Sequence, residues 1–132
     1  MAGNLTDYLE NKLLDHFLGT TAYTMPSPVY VALFTVAPND AGGGTEVTGG
    51  SYARQTATFA VAGSGGHATG ATSNSGNIDF TGMPAATTVA IALFDASTSG
   101  NMLVHGTLTT NKQTDAGDTL RIATGDLDIS ID

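Results

Sequence analysis

The sequence contains no cysteine and no tryptophan, and only four basic residues: Lys12, Arg54, Lys112 and Arg121. Without cysteine there is no disulfide framework, no zinc knuckle and no thiol chemistry. Against those four cations stand twelve Asp and Glu, a formal net charge of −8 over 132 residues. A nucleic-acid binder needs clustered Lys and Arg to displace counterions from phosphates, which this chain cannot supply. An anionic membrane would repel it as well. No apolar run approaches the roughly 20 residues of a membrane span. The opening MAGNLTDYLENKLLDHF carries polar residues at every turn, unlike a secretory signal. These absences predict a soluble protein made in a cytoplasm, with no nucleic acid and no membrane insertion among its partners.

What is present suits one domain of residues 1–132, long enough to bury a core. Residues 1–19 read as a helical segment and 26–132 as a β domain with mobile loops at 36–50 and 63–76. Leu5, Leu9, Leu13 and Phe17 recur every four residues, and Tyr8, Leu14 and Leu18 widen the stripe. This predicts an amphipathic helix over 5–18. Asn4 is the expected N-cap and Asp7 the capping-box acid, near the positive end of the helix dipole. Gly19 is the expected left-handed C-terminal residue. So short a helix is marginal alone; its stripe packs either on its own domain or on a neighbouring subunit.

After Gly19 the pattern changes to strands and turns. Pro26 and Pro28 frame an extended segment. Val29 to Phe34 is apolar on both faces and reads as a central strand. Pro38 to Gly44 is turn chemistry. Thr56 to Val61 alternates Thr with apolar residues, as a half-buried strand does. Gly63 to Gly76 is small, polar and glycine-rich and is predicted to be a long mobile loop. Short strands follow at Ile78–Phe80, before a break at Gly82-Met83-Pro84, then at Val89–Phe94, Met102–Leu108 and Thr119–Ala123. The last segment, Asp126 to Asp132, alternates strictly, with Leu127, Ile129 and Ile131 facing one way. About seven short strands with frequent turn signals predict a mainly β fold, an antiparallel sandwich or barrel with one N-terminal helix. The run Val29-Tyr30-Val31-Ala32-Leu33-Phe34 is echoed by Val89-Ala90-Ile91-Ala92-Leu93-Phe94. Two copies do not make a solenoid; the echo is either coincidence among strand residues or a sign of equivalent central places in the fold.

No catalytic constellation stands out. No G-x-S-x-G elbow surrounds a serine. His16 falls in the predicted helix, His67 in the glycine-rich loop and His105 in a strand, each with a bland local reading. Gly63 to Ala68 formally fits G-x-G-x-x-[G/A], but no helix can follow it to receive phosphates. Asp126, Asp128 and Asp132, with Asp115 and Asp118, lack the EF-hand pattern; Asp126 and Asp128 read as a solvated acidic face that also protects a sheet edge, with a structural cation such as Ca²⁺ as the alternative. The distant histidines make a poor zinc site. Tyr52 alone is weak support for glycan binding. The sequence therefore points to no catalytic residue, cofactor or metal.

Asn4-Leu5-Thr6-Asp7-Tyr8-Leu9-Glu10-Asn11-Lys12-Leu13-Leu14-Asp15-His16 is followed by Gly19-Thr20-Thr21-Ala22-Tyr23, by Val29 to Thr35, by Gly42-Gly43-Gly44-Thr45-Glu46-Val47, and by Gly49-Gly50-Ser51-Tyr52-Ala53-Arg54-Gln55. The end repeats the likeness with Gly117-Asp118-Thr119 and Gly125-Asp126-Leu127-Asp128-Ile129. This order resembles a family of small tailed-bacteriophage virion proteins often labelled phage tail fibre proteins. The resemblance implies a non-enzymatic particle component whose partners are the major capsid protein or tail proteins of the same virion. The short chain, without shaft repeats, leads to a capsid decoration (cement) protein as the first expectation and a tail fibre or tail-tip accessory protein as the second. A homo-oligomer, a trimer above all, suits repeated particle sites, where symmetry turns modest contacts into avidity. The candidate partner contacts are Leu5, Leu9, Leu13, Phe17, Tyr52 and Arg54. Arg54 has two readings: an internal pair tying its loop to the sheet, or a contact between subunits.

Overall fold

The computed structural model describes residues 4–131. In chain order the elements are β1 (Asn4–Leu5), α1 (Asp7–Phe17), β2 (Val29–Val36), β3 (Thr45–Glu46), β4 (Gln55–Ala57), β5 (Ala71–Ser73), β6 (Ile78–Met83), β7 (Ala86–Phe94), β8 (Met102–Thr114), β9 (Asp118–Ile122) and β10 (Asp128–Ser130). The fold is mainly β and antiparallel, with the one helix near the N-terminus, and its layers are sandwich-like. Ten strands among the described residues replace the seven expected; the three additional ones, β1, β3 and β5, are two or three residues long, β1 lying where the helix is expected to start and β3 and β5 inside segments that read as loops.

The two echoed runs are the centre of the molecule, and they pair with each other. In β2 and β7, Tyr30 lies opposite Phe94, Ala32 opposite Ala92 and Phe34 opposite Ala90. Strands apolar on both faces are those buried on both faces. Val31, Leu33, Ile91 and Leu93 face the main core; Ala32, Phe34, Ala90, Ala92 and Phe94 form a second cluster on the opposite face. The main sheet runs β1-β8-β7-β2-β3, with β4 also on β2. Facing it are two ribbons, β6 with β9 and β10 with β5. Ile78, Phe80 and Met83 from β6, Leu120 and Ile122 from β9, and Leu127 fill the space between. Gly82 has φ +61 at the irregularity where β6 slips against β9, as an extra residue in a strand requires. A Cβ on Gly50 would come within 2.5 Å of the Gly82 carbonyl oxygen, so the 49–51 turn closes onto β6 only because that side chain is absent.

The helix starts later than the sequence predicts. Asn4 and Leu5 are extended and pair with His105 and Val104 of β8, covering that sheet edge. Thr6, not Asn4, is the N-cap: its hydroxyl oxygen accepts from the Leu9 amide at 3.3 Å and donates to the Met102 carbonyl at 2.6 Å. Asp7 is therefore a first-turn residue rather than a capping-box acid. The C-terminal end is as expected. Gly19 has φ +79; its amide bonds the His16 carbonyl and the Thr20 amide the Asp15 carbonyl, the paired pattern of a Schellman motif.

Three strand expectations need correction. The run Thr56–Val61 pairs with β2 only as far as Ala57, opposite Val29. The next residue on β2's side is Pro28, which has no N–H to give to a ladder. Phe59 instead bridges to Asn74. The stretch 63–76 is not loop throughout: its last part is β5, paired with β10 at Thr72 opposite Ile129. Likewise 36–50 contains β3 and the buried Val47. At the C-terminus Leu127 is 0% and Ile131 56% exposed, so one face of the alternation is buried only at its start; Asp132 lies outside the described residues.

Candidate functional site

The block Gly42 to Gln55 combines aromatic, acidic and basic groups, and the structure draws them together. β3 brings Glu46 alongside β2, and the 49–53 turn carries Tyr52 and Arg54 back over it. Arg54 donates Nε to Glu46 Oε1 and Nη2 to Glu46 Oε2, both at 2.9 Å. Its Nη1 donates to the carbonyls of Ala96 at 3.0 Å and Ser99 at 2.8 Å. The guanidinium carbon lies 3.6 Å from the centre of the Phe94 ring, and Phe94 is stacked with Phe34. The fork thus ties the loop at 46, the loop at 96–99 and the outer aromatic pair in one place, with the Arg54 side chain only 8% exposed. This is the internal-pair reading of Arg54, and four of its five donors are spent on it.

Tyr52 belongs to the same lock. Its hydroxyl donates to Glu46 Oε1 at 2.9 Å and accepts from the Leu33 amide at 2.9 Å, and its ring stacks on Phe80. Burial pushes the phenol well above its ordinary value; the Leu33 amide pulls the other way, and the Glu46 charge adds to the rise. The stability the folded state gains from the neutral phenol is therefore complete below the unfolded value near pH 10 and lost as pH rises through the higher folded value. Tyr52→Phe should cost about 1–2 kcal/mol at neutral pH, for the hydrogen bonds and the unpaired Leu33 amide. It should also lose stability less steeply than the parent above about pH 10. Urea unfolding at a series of alkaline pH values checks this, and parallel pH curves would refute it.

The helical stripe divides. Leu5, Tyr8 and Leu9 pack against the main core and Leu13 is half-buried. Leu14, Phe17 and Leu18 are 48%, 68% and 69% exposed and, at spacings of three and four, share one face. Met25 is more exposed still.

The histidines each have a local partner. His16 Nδ1 accepts from the Tyr23 amide at 3.0 Å. His67 is half-buried rather than exposed, between the Ser64 carbonyl at 2.7 Å and Ser73 Oγ at 2.8 Å. His105 Nε2 lies 2.8 Å from Asp40 Oδ1. Among the described residues no group of three or more His, Asp or Glu side chains could hold a metal ion. Asp118 accepts from the Asp115 amide across their turn, and Asp79 pairs with Arg121, which holds the Asp79 carboxyl below its usual range. Asn74, which carries no sequence motif, is fully buried and makes four hydrogen bonds to backbone. Its only signal was the tendency of Asn to bond nearby backbone in turns.

These constellations fasten loops to a sheet, and the outward helix end offers surface for contact. The family model described as Podophage GP4 fiber I protein gp80 matches residues 4–130, and the chain belongs to this family. It is thus a phage virion protein, of a family that is structural. No curated protein matches the chain.

Proposed function

We propose that this protein is a subunit of a tail fibre or tail-tip appendage, held in the virion by the outer end of α1. The fibre family match across 127 residues (4 to 130 inclusive) supports the fibre reading, and the apolar face of Leu14, Phe17 and Leu18 turned to solvent supports attachment through α1. Monomeric soluble proteins seldom present clustered apolar side chains without a partner. The partner is another protein of the same virion, and a trimeric arrangement would repeat the contact around a closed axis. Of the six contact candidates, Phe17 is the one whose side chain is free to serve; Leu5 and Leu9 are committed to the core, Leu13 in part, and Tyr52 and Arg54 to the internal lock.

Quantitative mass spectrometry of purified particles, with antibody labelling in the electron microscope, tests the reading. Few copies per particle with label on tails support it; many copies spread over heads would replace it with decoration. The double change Phe17→Ser, Leu18→Ser should alter stability by no more than about 0.5 kcal/mol, as exposed positions do, yet remove the protein from particles. Normal incorporation of that variant would show that α1 is not the attachment element.

A further inference from the structure

We propose that the groove between α1 and the β5–β10 ribbon is where a second copy of this chain docks. The groove has a volume of about 320 Å³. Leu9 of α1 and Tyr23 line one side, Phe59, Thr72 and Ile129 the other, and the buried Leu93 of β7 lies at its base. The walls stand where they do for local reasons. The Tyr23 amide donates to His16 Nδ1 at 3.0 Å, which holds the segment after Gly19 against the end of α1. On the far side the chain after β4 runs along β5: Phe59 bridges to Asn74, and the amides of Ala60 and Gly63 bond the carbonyls of Ser73 and Ala71. Side chains two apart on a strand share a face, so Val61 follows Phe59, and Ile131 follows Ile129, to the rim of the groove. Met25, beside the lining Pro26, stands on the opposite rim. Met25, Val61 and Ile131 are 78%, 77% and 56% exposed.

An apolar groove rimmed by exposed apolar side chains marks a contact surface. Of the large apolar side chains exposed among the described residues, Leu14, Phe17 and Leu18 end α1, these three rim the groove, and Val36 alone lies elsewhere. The charge distribution identifies what covers the groove. The chain has twelve acids and four bases, yet the stretches 17–39 and 55–78 contain no Asp, Glu, Lys or Arg, and neither does Ile129-Ser130-Ile131. Those stretches supply the rim and both walls apart from Leu9. The acids beside lining residues, Glu10 after Leu9 and Asp128 before Ile129, are turned aside, since neighbours point about 100° apart on a helix and oppositely on a strand. A basic partner would call for an acidic rim. A copy of this chain instead brings its own charge of −8, and two such molecules repel wherever their acids meet. They approach at least cost where neither carries any, which is this face. The outer end of α1 is left to the virion partner, so the two contacts can be tested apart.

Sedimentation equilibrium of the full chain should show self-association with a Kd of about 100 µM or tighter. Raising NaCl from about 50 to about 500 mM should strengthen it by about three-fold or more, because salt screens the repulsion between two acidic molecules; a charge-paired contact responds the other way. The double change Met25→Asp, Val61→Asp should weaken association at least about ten-fold by setting like charges face to face, and leave Tm unchanged because both positions are exposed. Val36→Asp makes the same kind of change at the far end of β2, roughly 23 Å along the strand from Val29, and should associate like the parent. So should Phe17→Ser, Leu18→Ser, whose expected loss from particles reports the other surface. The proposal is overturned by any of four results: a chain that stays monomeric to about 200 µM, which would leave the groove to a different protein or a small apolar ligand; association weakened by salt; unchanged association in Met25→Asp, Val61→Asp; or an equal loss in either control variant.

Discussion

Arg54→Ala should lower the free energy of unfolding by about 3–5 kcal/mol, the usual consequence of removing one partner from a buried ion pair. The loss has three parts. Glu46, whose side chain is 27% exposed, keeps its charge without the fork that neutralised it. The carbonyls of Ala96 and Ser99 lose a shared donor. Phe94 loses the guanidinium that lies on its face, and the 95–101 turn is then held by Asp95 and Asn101 alone. Arg54→Lys should recover little of this, since one ammonium cannot meet a bidentate carboxylate and two carbonyls together. The comparison is Arg121→Ala, which breaks a fork of similar geometry at the surface and should leave stability nearly unchanged because solvent screens the pair. Urea unfolding of the three variants, with unchanged m-values, measures the contrast. Equal midpoints for Arg54→Ala and Arg121→Ala would refute the lock.

Asn74→Ala should cost a comparable amount, about 3–5 kcal/mol, by stranding several buried backbone groups at once. The Asn74 amide nitrogen donates to the carbonyls of Gly76 at 2.8 Å and Ala123 at 2.9 Å. Its oxygen accepts from the amides of Gly125 at 3.1 Å and Leu127 at 2.9 Å. One side chain, 1% exposed, thereby joins the end of β5 to the chain between β9 and β10, and seats Leu127 in the core. Asn74→Asp keeps the acceptor but sets a carboxylate against two carbonyls, so it should lose nearly as much. Thermal unfolding and hydrogen exchange should show early opening of β10 and β5 in both variants. Parent-like protection at Leu127 in Asn74→Ala would show that the amide is dispensable.

The two positions differ in how visible they were beforehand. Arg54 is conspicuous because cations are so few; with a surplus of acids, one arginine in a Gly-Tyr-Arg loop has to find a carboxylate, and it finds Glu46 eight residues away. Asn74 sits in a stretch whose small polar residues read as disorder. Nothing local says that the chain after β9 will come back to it, some 50 residues later, with three backbone groups to satisfy. The capping of α1 shows the same division: the Schellman end is written in Gly19, whereas the start moved to Thr6 because β8, remote in sequence, claims Asn4 and Leu5 as strand partners.

What the sequence alone determined was whatever depends on near neighbours and on composition. The acidic balance and missing cysteines set the chemistry the chain can do; the doubly apolar run at 29–34 read as a central strand and 89–94 as a strand; and the order of its N-terminal blocks carried its family. The tertiary structure decided which short segments became edges and ribbons, which half of the helical stripe stayed outside, and that the buried Thr88 hydroxyl would be left without a partner among the described residues. Those outcomes turn on backbone groups far apart in the chain competing for the same hydrogen bonds, and on volume left over where strands of unequal length pair. Neither quantity exists until the strands have met.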